Sequence, residues 1–268
     1  AEHLTHLRLV LERLYENGLV INPAKCIFGV PEIDFVGYRV NQNGIYPLPD
    51  KVSAIKDFPK PEMSKGLQEF LGMVNFYHRF VPNAAYLMRP LHEVVSKKNQ
   101  KIEWTKERID AFNQTKDALA NATMLSHPKM SAETALTVDA SDFAIGGVLE
   151  QFIDGSWKPI AFFSKKLRKP ELKYSAFDRE LLALYLAVRH FRYFLEGREF
   201  TVFTDHKPLT FALSKISDPW SPRQQRHLTA ISEFTTNIKH ISGKSNVVAD
   251  ALSRNFINNV ISDTFNDI

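Results

Sequence analysis

The period of the apolar residues changes from two to about 3.6 and back within one stretch of the chain, and this limits the fold more than any other feature. Thr134 to Ser141 (TALTVDAS) alternates, with Leu136 and Val138 on one face and Thr137 and Asp139 on the other, the pattern of a half-buried strand. From Tyr174 to Leu195 the residues Phe177, Leu181, Leu184, Val188, Phe191 and Leu195 recur at steps of three and four and predict an amphipathic helix. Phe200 to Asp205 (FTVFTD) reads as a strand again, and it stops near Asp205 because Pro208 has no N–H to give to a ladder. Ala144 to Gln151 and Trp157 to Lys165 flank Asp154-Gly155 as a hairpin, and Ser221 to Phe234 and Thr235 to Ser242 read as a helix and a last strand. The class is α/β with a mixed sheet.

Four acids stand in these elements. Asp139 and Asp205 lie at strand ends. Glu180 follows Phe177 by three and precedes Leu184 by four, so it borders the buried stripe of its helix. Asp250 lies in Asn246 to Arg254 (NVVADALSR), where Asn246 can cap a helix whose first turn holds the acid, a place that favours negative charge. Each alone reads equally as a solvated carboxylate. Together they would repel one another without cations, and carboxylate oxygens suit Mg2+. Two such ions, about 3.5 to 4 Å apart, can activate a water and stabilise the leaving oxygen of a phosphodiester.

VDAS with Asp139, FDRELLAL with Glu180, FTDHKPL with Asp205 and NVVADALSR with Asp250 resemble the ribonuclease H domain of reverse transcriptases from gypsy-type LTR retrotransposons. The resemblance implies a ribonuclease H-like domain with a five-stranded mixed sheet flanked by helices. It gives the four acids the role of catalytic ligands to two Mg2+ ions, with Mn2+ as the alternative, and implies an endonuclease that cuts the RNA strand of an RNA-DNA hybrid. Cellular ribonucleases H carry a loop histidine shortly before the last aspartate, and Ser242 to Ser245 (SGKS) has none. His206, beside Asp205, is characteristic of the retrotransposon form and reads as a positioned loop residue facing nucleic acid.

The resemblance extends upstream. His6 to Cys26 is similar to the end of the polymerase palm, and Ile33 to Pro47 to its primer-grip hairpin, with Asn43-Gly44 as the turn and Phe35, Gly37 and Tyr38 as implied nucleic-acid contacts. Lys51 to Val95 is similar to the thumb, most clearly at Leu67 to Phe80, an amphipathic helix. Trp104 to Leu125 reads as a helical connection. The implied limits are 1–50 for the palm end, 51–95 for the thumb, 96–131 for the connection, 132–256 for the nuclease and 257–268 for a disordered tail. No Asp-Asp pair of the kind polymerases of this family keep occurs in the 268 residues, so DNA synthesis by this chain alone is not expected. The chain is expected to be the carboxyl-terminal part of a reverse transcriptase, partnered by other regions of a Pol polyprotein. The implied setting is cytoplasmic, in a virus-like particle, or nuclear. The competing reading is a non-catalytic nucleic-acid-binding remnant.

Composition fits a packed protein, with 44% hydrophobic and 24% charged residues. A single Cys26 excludes an internal disulfide and fits a reducing compartment. There is no basic leader before an apolar stretch and no run long enough to span a bilayer, so no membrane partner is expected. The net charge of +4 is modest, but its distribution is uneven. Ten basic residues between Lys51 and Lys106, Lys65 and Arg79 among them, face five acids, an excess that suits phosphate contact along a duplex and equally a solvated helical face. Lys165 and Lys166 open a second basic stretch (KKLRKPELK) that could hold substrate phosphates near the metals. Gly146-Gly147, inside a strand, lacks the spacing of a phosphate loop and marks either a bulge or close approach by the nucleic-acid backbone.

Overall fold

The computed structural model describes residues 2–95, 100–214 and 220–241. The chain forms two compact units, the first ending at Ile33. This first unit holds helix α1 (Glu2–Glu16), none of whose residues is buried, and a 3-10 turn at Pro23–Lys25. Asn22 caps that turn, its side chain accepting the Ala24 N–H at 3.0 Å.

A small sheet of order β1-β2-β3 comprises β1 (Glu32–Phe35), β2 (Tyr38–Asn41) and β3 (Gly44–Pro47). The Asn43-Gly44 turn forms as the sequence predicts, with Asn41 Oδ1 accepting both of its N–H groups at 2.9 and 3.3 Å. Five helices follow: α2 (Pro49–Lys56), α3 (Ser64–Phe76), α4 (Ala84–Leu87), α5 (Arg89–Val95) and α6 (Lys106–Ala120). Leu67, Phe70, Leu71 and Val74 of α3, Leu91 of α5, and Phe112 and Leu119 of α6 form their common core. Each fully buried Leu or Phe contributes about 1.5–3 kcal/mol. The single helix expected over Leu67 to Phe80 is divided: α3 stops at Phe76 and a 3-10 turn takes His78–Phe80. The tighter turn lets Tyr77 and Phe80 both enter the core, at 4% and 0% exposure.

The second sheet has the order β6-β5-β4-β7-β8 and is mixed, as expected. Its strands are β4 (Thr134–Ala140), β5 (Ala144–Ile153), β6 (Ser156–Lys166), β7 (Thr201–Thr204) and β8 (Ile238–His240). Asp154 and Gly155, at φ 52° and 80°, make the tight β5–β6 turn that the sequence predicts. The ladder is broken between Leu149 and Glu150, where register passes from Ala161 to Pro159. Proline has no N–H to pair, so the bulge falls there and not at Gly146-Gly147. Helix α7 (Ala176–His190) crosses from this hairpin toward β7, and a turn at Phe191 separates it from the short α8 (Arg192–Leu195), where one helix was expected. The short α9 (Lys207–Thr210) follows β7, and α10 (Pro222–Ser232) starts in a capping box between Ser221 and Gln224.

Strand β4 departs from its alternating sequence, because Thr134 through Val138 are all buried. The strand is central and covered on both sides. Leu136 and Val138 pack under α7 with Leu181, Leu184 and Val188. On the other side, Val148 of β5 and Phe162 of β6 belong to the core of the α3–α6 helices. Thr137, which read as solvent-facing, is therefore interior, and the helical region and the large sheet share apolar packing.

Candidate metal centre

Parallel pairing of β4 and β7 brings two of the acids together. Register runs Ala135 to Thr201, Leu136 to Val202 and Thr137 to Phe203, so both strands deliver their carboxyl ends to one edge of the sheet. Asp139 stands at that end of β4 and Asp205 directly after β7. Helix α7 crosses the same sheet and aims Glu180 at the edge between them. One carboxylate oxygen from each of Asp139, Glu180 and Asp205 lies within 4.8 Å of the others. Asp250 and the segment around it lie outside the described residues, as do the loop Ser242 to Ser245 and the tail.

Glu180 is the buried member, at 5% exposure. Its Oε1 accepts the Ala140 N–H at 3.1 Å, while its Oε2 is buried with no hydrogen-bond partner. Burial, then the charges of Asp139 and Asp205, push the Glu180 carboxyl well above the usual range, against the Ala140 hydrogen bond and the Arg179 charge. A buried acceptor without a donor, beside two more carboxylates, is a costly arrangement for a protein alone. It suits a hard cation with oxygen ligands, so these residues fit Mg2+.

Two polar anchors that the sequence reading missed hold this geometry. Arg179 donates to Asp142 at 2.7 Å and so ties α7 to the loop that follows Asp139. Asp178 is bonded by the Ser175 hydroxyl at 2.8 Å and by Arg223 and Gln224 at 2.9 Å each, which joins the start of α7 to α10. Burial opposes its ionisation, yet these donors hold its carboxyl below the usual range. Part of the signal for the Asp178 anchor was present: Ser175, three residues before Asp178 and just ahead of an apolar run, is a helix start. Arg223 had no local signal, since its partner is 45 residues away.

His206 lies beside Asp205, its ring 6.0 Å from Phe177 and its Nε2 buried without a partner. Burial lowers its pKa, and Asp205 only partly opposes this. The other residues expected to touch nucleic acid are dispersed. Lys165 and Lys166 pair with Ile145 and Ala144, at the same sheet edge as Asp139. Lys65 is exposed at the start of α3, and Phe35 is exposed. Arg79 is half-buried, its guanidinium 5.9 Å from the Tyr38 ring centre and 5.7 Å from that of Phe80. Tyr38 stacks on Phe76 at 5.3 Å, and a side chain at Gly37 would strike the Phe76 ring at 2.8 Å. Internal packing therefore accounts for Gly37 and for much of Tyr38. Among the described residues no helix is long and apolar enough to cross a membrane.

Comparison with known proteins converges on the same sheet. The family model described as "RNase H-like domain found in reverse transcriptase" matches residues 104–202. The Tf2-3 and Tf2-4 transposon polyproteins of Schizosaccharomyces pombe are each 34% identical over 257 residues, 95% of this chain. The chain spans 19% of their length. The foamy viral protease-reverse transcriptase dRH in complex with double-stranded DNA superposes with a TM-score of 0.68 at 23% identity, over 91% of this chain and 43% of that one. The foamy viral enzyme in complex with RNA/DNA hybrid gives 0.67 at 23% identity, over 100% and 36%. These two likenesses establish the fold. The chain carries an RNase H-like domain of the kind found in reverse transcriptases over residues 104–202, and its similarity to the Tf2 transposon polyproteins runs over nearly its whole length.

Proposed function

We propose that this chain is a metal-dependent endonuclease that hydrolyses the RNA strand of an RNA-DNA hybrid. The observation that carries this reading is the meeting of Asp139, Glu180 and Asp205 within 4.8 Å, with Glu180 Oε2 buried and lacking a donor. These acids, with Asp250 as the fourth, would hold two Mg2+ ions, or Mn2+. Such ions would activate the attacking water and stabilise the departing 3′ oxygen.

The protein's own part is to fix the ligands and to receive the duplex. The Ala140 N–H orients Glu180, and the Arg179–Asp142 pair sets the loop after Asp139 against α7. His206, kept neutral by burial, is assigned a positioning role beside Asp205. Lys165 and Lys166 are assigned to phosphates near the cut, and Lys65, Arg79 and Phe35 to the duplex farther away. Phosphate contacts position a duplex, and the 2′-hydroxyl separates RNA from DNA. The limits 51–95, 96–131 and 132–256 for thumb, connection and nuclease belong to the same proposal, as do partnership with the rest of the polyprotein and a cytoplasmic particle as its setting. The test is cleavage of an end-labelled hybrid with Mg2+ or EDTA by the wild type and by Asp139→Asn, Glu180→Gln, Asp205→Asn and Asp250→Asn. Ion-dependent cutting of RNA alone, lost in each variant, is expected. Retained activity in any two variants would sink the assignment.

A further inference from the structure

Helix α10 is fastened to the start of α7 by a flat aromatic contact as well as by the polar bonds to Asp178. Trp220, half-buried just before the capping residue Ser221, lays its ring parallel to that of Phe177, with centres 5.3 Å apart and an interplanar angle of 11°. The capping box sets where that ring goes. Gln224 Oε1 accepts the Ser221 N–H at 2.8 Å and Gln224 Nε2 donates to Asp178 at 2.9 Å, so the residue after Trp220 is tied to the residue after Phe177. Arg223, besides its bond to Asp178, lies 3.9 Å over the Tyr174 ring. Farther along the same two helices a second flat pair forms, Tyr185 on His227 at 4.2 Å and 11°.

The two pairs differ in what lies next to them. Phe177 is three residues before Glu180, on the same side of α7 and one turn below it. Its ring also lies 6.0 Å from that of His206, the residue after Asp205. Both of these neighbours lack a bond that would hold them: among the described residues Glu180 Oε2 and His206 Nε2 are buried with no partner. Their placement therefore depends on packing, and Phe177, with Trp220 stacked on it, is packing they share. Tyr185 sits more than a turn past Glu180, where its hydroxyl accepts from Arg189 at 3.1 Å. The extra attraction within one stacked pair is a small part of the stability of a folded chain. Metal ligands, by contrast, must be held to within about 0.5 Å of the working geometry. Loss of the Trp220 ring should therefore disturb the metal edge more than the fold.

We infer that Trp220 is a positioning residue for the candidate metal centre: pressed on Phe177, it holds the start of α7 and the His206 ring where Glu180 and Asp205 meet a divalent cation. The inference rests on the metal-dependent nuclease reading above. It adds that α10, which supplies none of the four acids, sets how tightly the cation is held.

The experiment uses the full chain with Trp220→Ala, Trp220→Phe and, as the comparison, His227→Ala, which removes the other flat pair. Three quantities are read: binding of Mn2+ alone, from the electron paramagnetic resonance of the free ion; kcat and KM for hybrid at a series of Mg2+ concentrations; and the unfolding temperature in EDTA. Trp220→Ala and His227→Ala should each lower the unfolding temperature by about 2–4 °C, the shift expected for one such contact in a chain of this size. Only Trp220→Ala should weaken Mn2+ binding, by about tenfold, the usual effect of removing a group that supports a ligand. The Mg2+ concentration for half-maximal cutting should rise in step, with KM for hybrid at saturating Mg2+ unchanged. Trp220→Phe, which keeps a flat ring, should restore most of the affinity. If Trp220→Ala does not fold, Trp220→Leu, apolar without a flat ring, takes its place under the same readings. Wild-type Mn2+ affinity in the ring-less variant, or an equal loss in His227→Ala, would overturn the inference. So would a raised KM for hybrid with unchanged cation binding, which would make Trp220 a contact to the duplex. A wild type that binds Mn2+ yet leaves hybrid uncut would overturn the nuclease reading alone, with the Mn2+ affinities still deciding the role of Trp220. No Mn2+ binding by the wild type would overturn both.

Discussion

Glu150 and Glu180 are the two buried glutamates among the described residues, at 7% and 5% exposure, and both belong to the packing of one sheet. Their surroundings differ in kind. Burial alone raises the Glu150 carboxyl, to about 7, and Glu150 sits where the ladder slips past Pro159. Glu180 is raised by burial too, but two further carboxylates add to the effect, and one of its oxygens has no donor. A lone buried acid can relieve its cost by taking up a proton. Three clustered acids with an orphaned oxygen are relieved more fully by a cation, which is why the same desolvation marks a structural oddity at one end of the sheet and a candidate metal centre at the other.

The largest expected difference lies in activity. Glu180→Gln should lower cleavage of hybrid by about a thousandfold or more, equivalent to roughly 4 kcal/mol in the barrier, because the cluster must balance divalent charge. Glu150→Gln should leave the rate within a factor of about two, since 0.4 kcal/mol is all that factor represents. A comparable loss in both variants would erase the contrast and place Glu150 in the chemistry.

The next difference is in stability against pH. The Glu150 carboxyl titrates at about 7 in the folded chain, against an ordinary value of 4.5. Its favourable contribution is therefore whole below pH 4.5, declines as pH rises from there to about 7, and is gone above it. The span amounts to about 3 kcal/mol. Urea unfolding of wild type and Glu150→Gln at pH 5 and pH 8 isolates the effect, with the variant gaining relative to the wild type at the higher pH. Parallel curves would mean that Glu150 reaches solvent or finds a donor in solution.

A smaller effect separates the two ends through ions. At ten times its dissociation constant Mg2+ should add about 1.4 kcal/mol to the unfolding free energy of the wild type. Glu180→Gln should lose most of this gain and Glu150→Gln should keep it. Equal stabilisation of all three proteins would put the ion elsewhere.

What was legible in the sequence follows from how local each cause is. Strand ends, the stripe of α7 and the Asp154-Gly155 turn depend on a few adjacent residues, and so did the acids at the ends of β4 and β7. The burial of Thr137 was not legible, because it depends on β4 lying in the middle of the sheet with helices on both sides. The sharing of Val148 and Phe162 with the core of the α3–α6 helices was hidden for the same reason, as nothing in AIGGVLEQ distinguishes a solvent-facing from a helix-covered second face. Gly146-Gly147 was noticed, but its two residues serve opposite faces, and only the neighbours brought by folding tell them apart.

The smallest expected effect compares cations at the two ends. Lys129 and Lys158 lie at the Glu150 end, each paired with Asp154, at 3.6 and 3.5 Å. Lys165 and Lys166 stand at the metal edge and make no ion pair among the described residues, so their charge is available to a polyanion. Each phosphate contact made by such a lysine releases counterions and steepens the fall of log affinity against log salt by about 0.9. Replacing Lys165 and Lys166 by alanine should therefore flatten that slope by up to about 1.8 when binding of hybrid is titrated between 50 and 200 mM salt. Replacing Lys129 and Lys158 should leave the slope unchanged, because they share the Asp154 carboxylate and lie at the other end of the sheet. A slope that flattens equally in both pairs would show that binding follows net charge alone. Flattening confined to Lys165 and Lys166 would fix the duplex over the edge where Asp139, Glu180 and Asp205 meet.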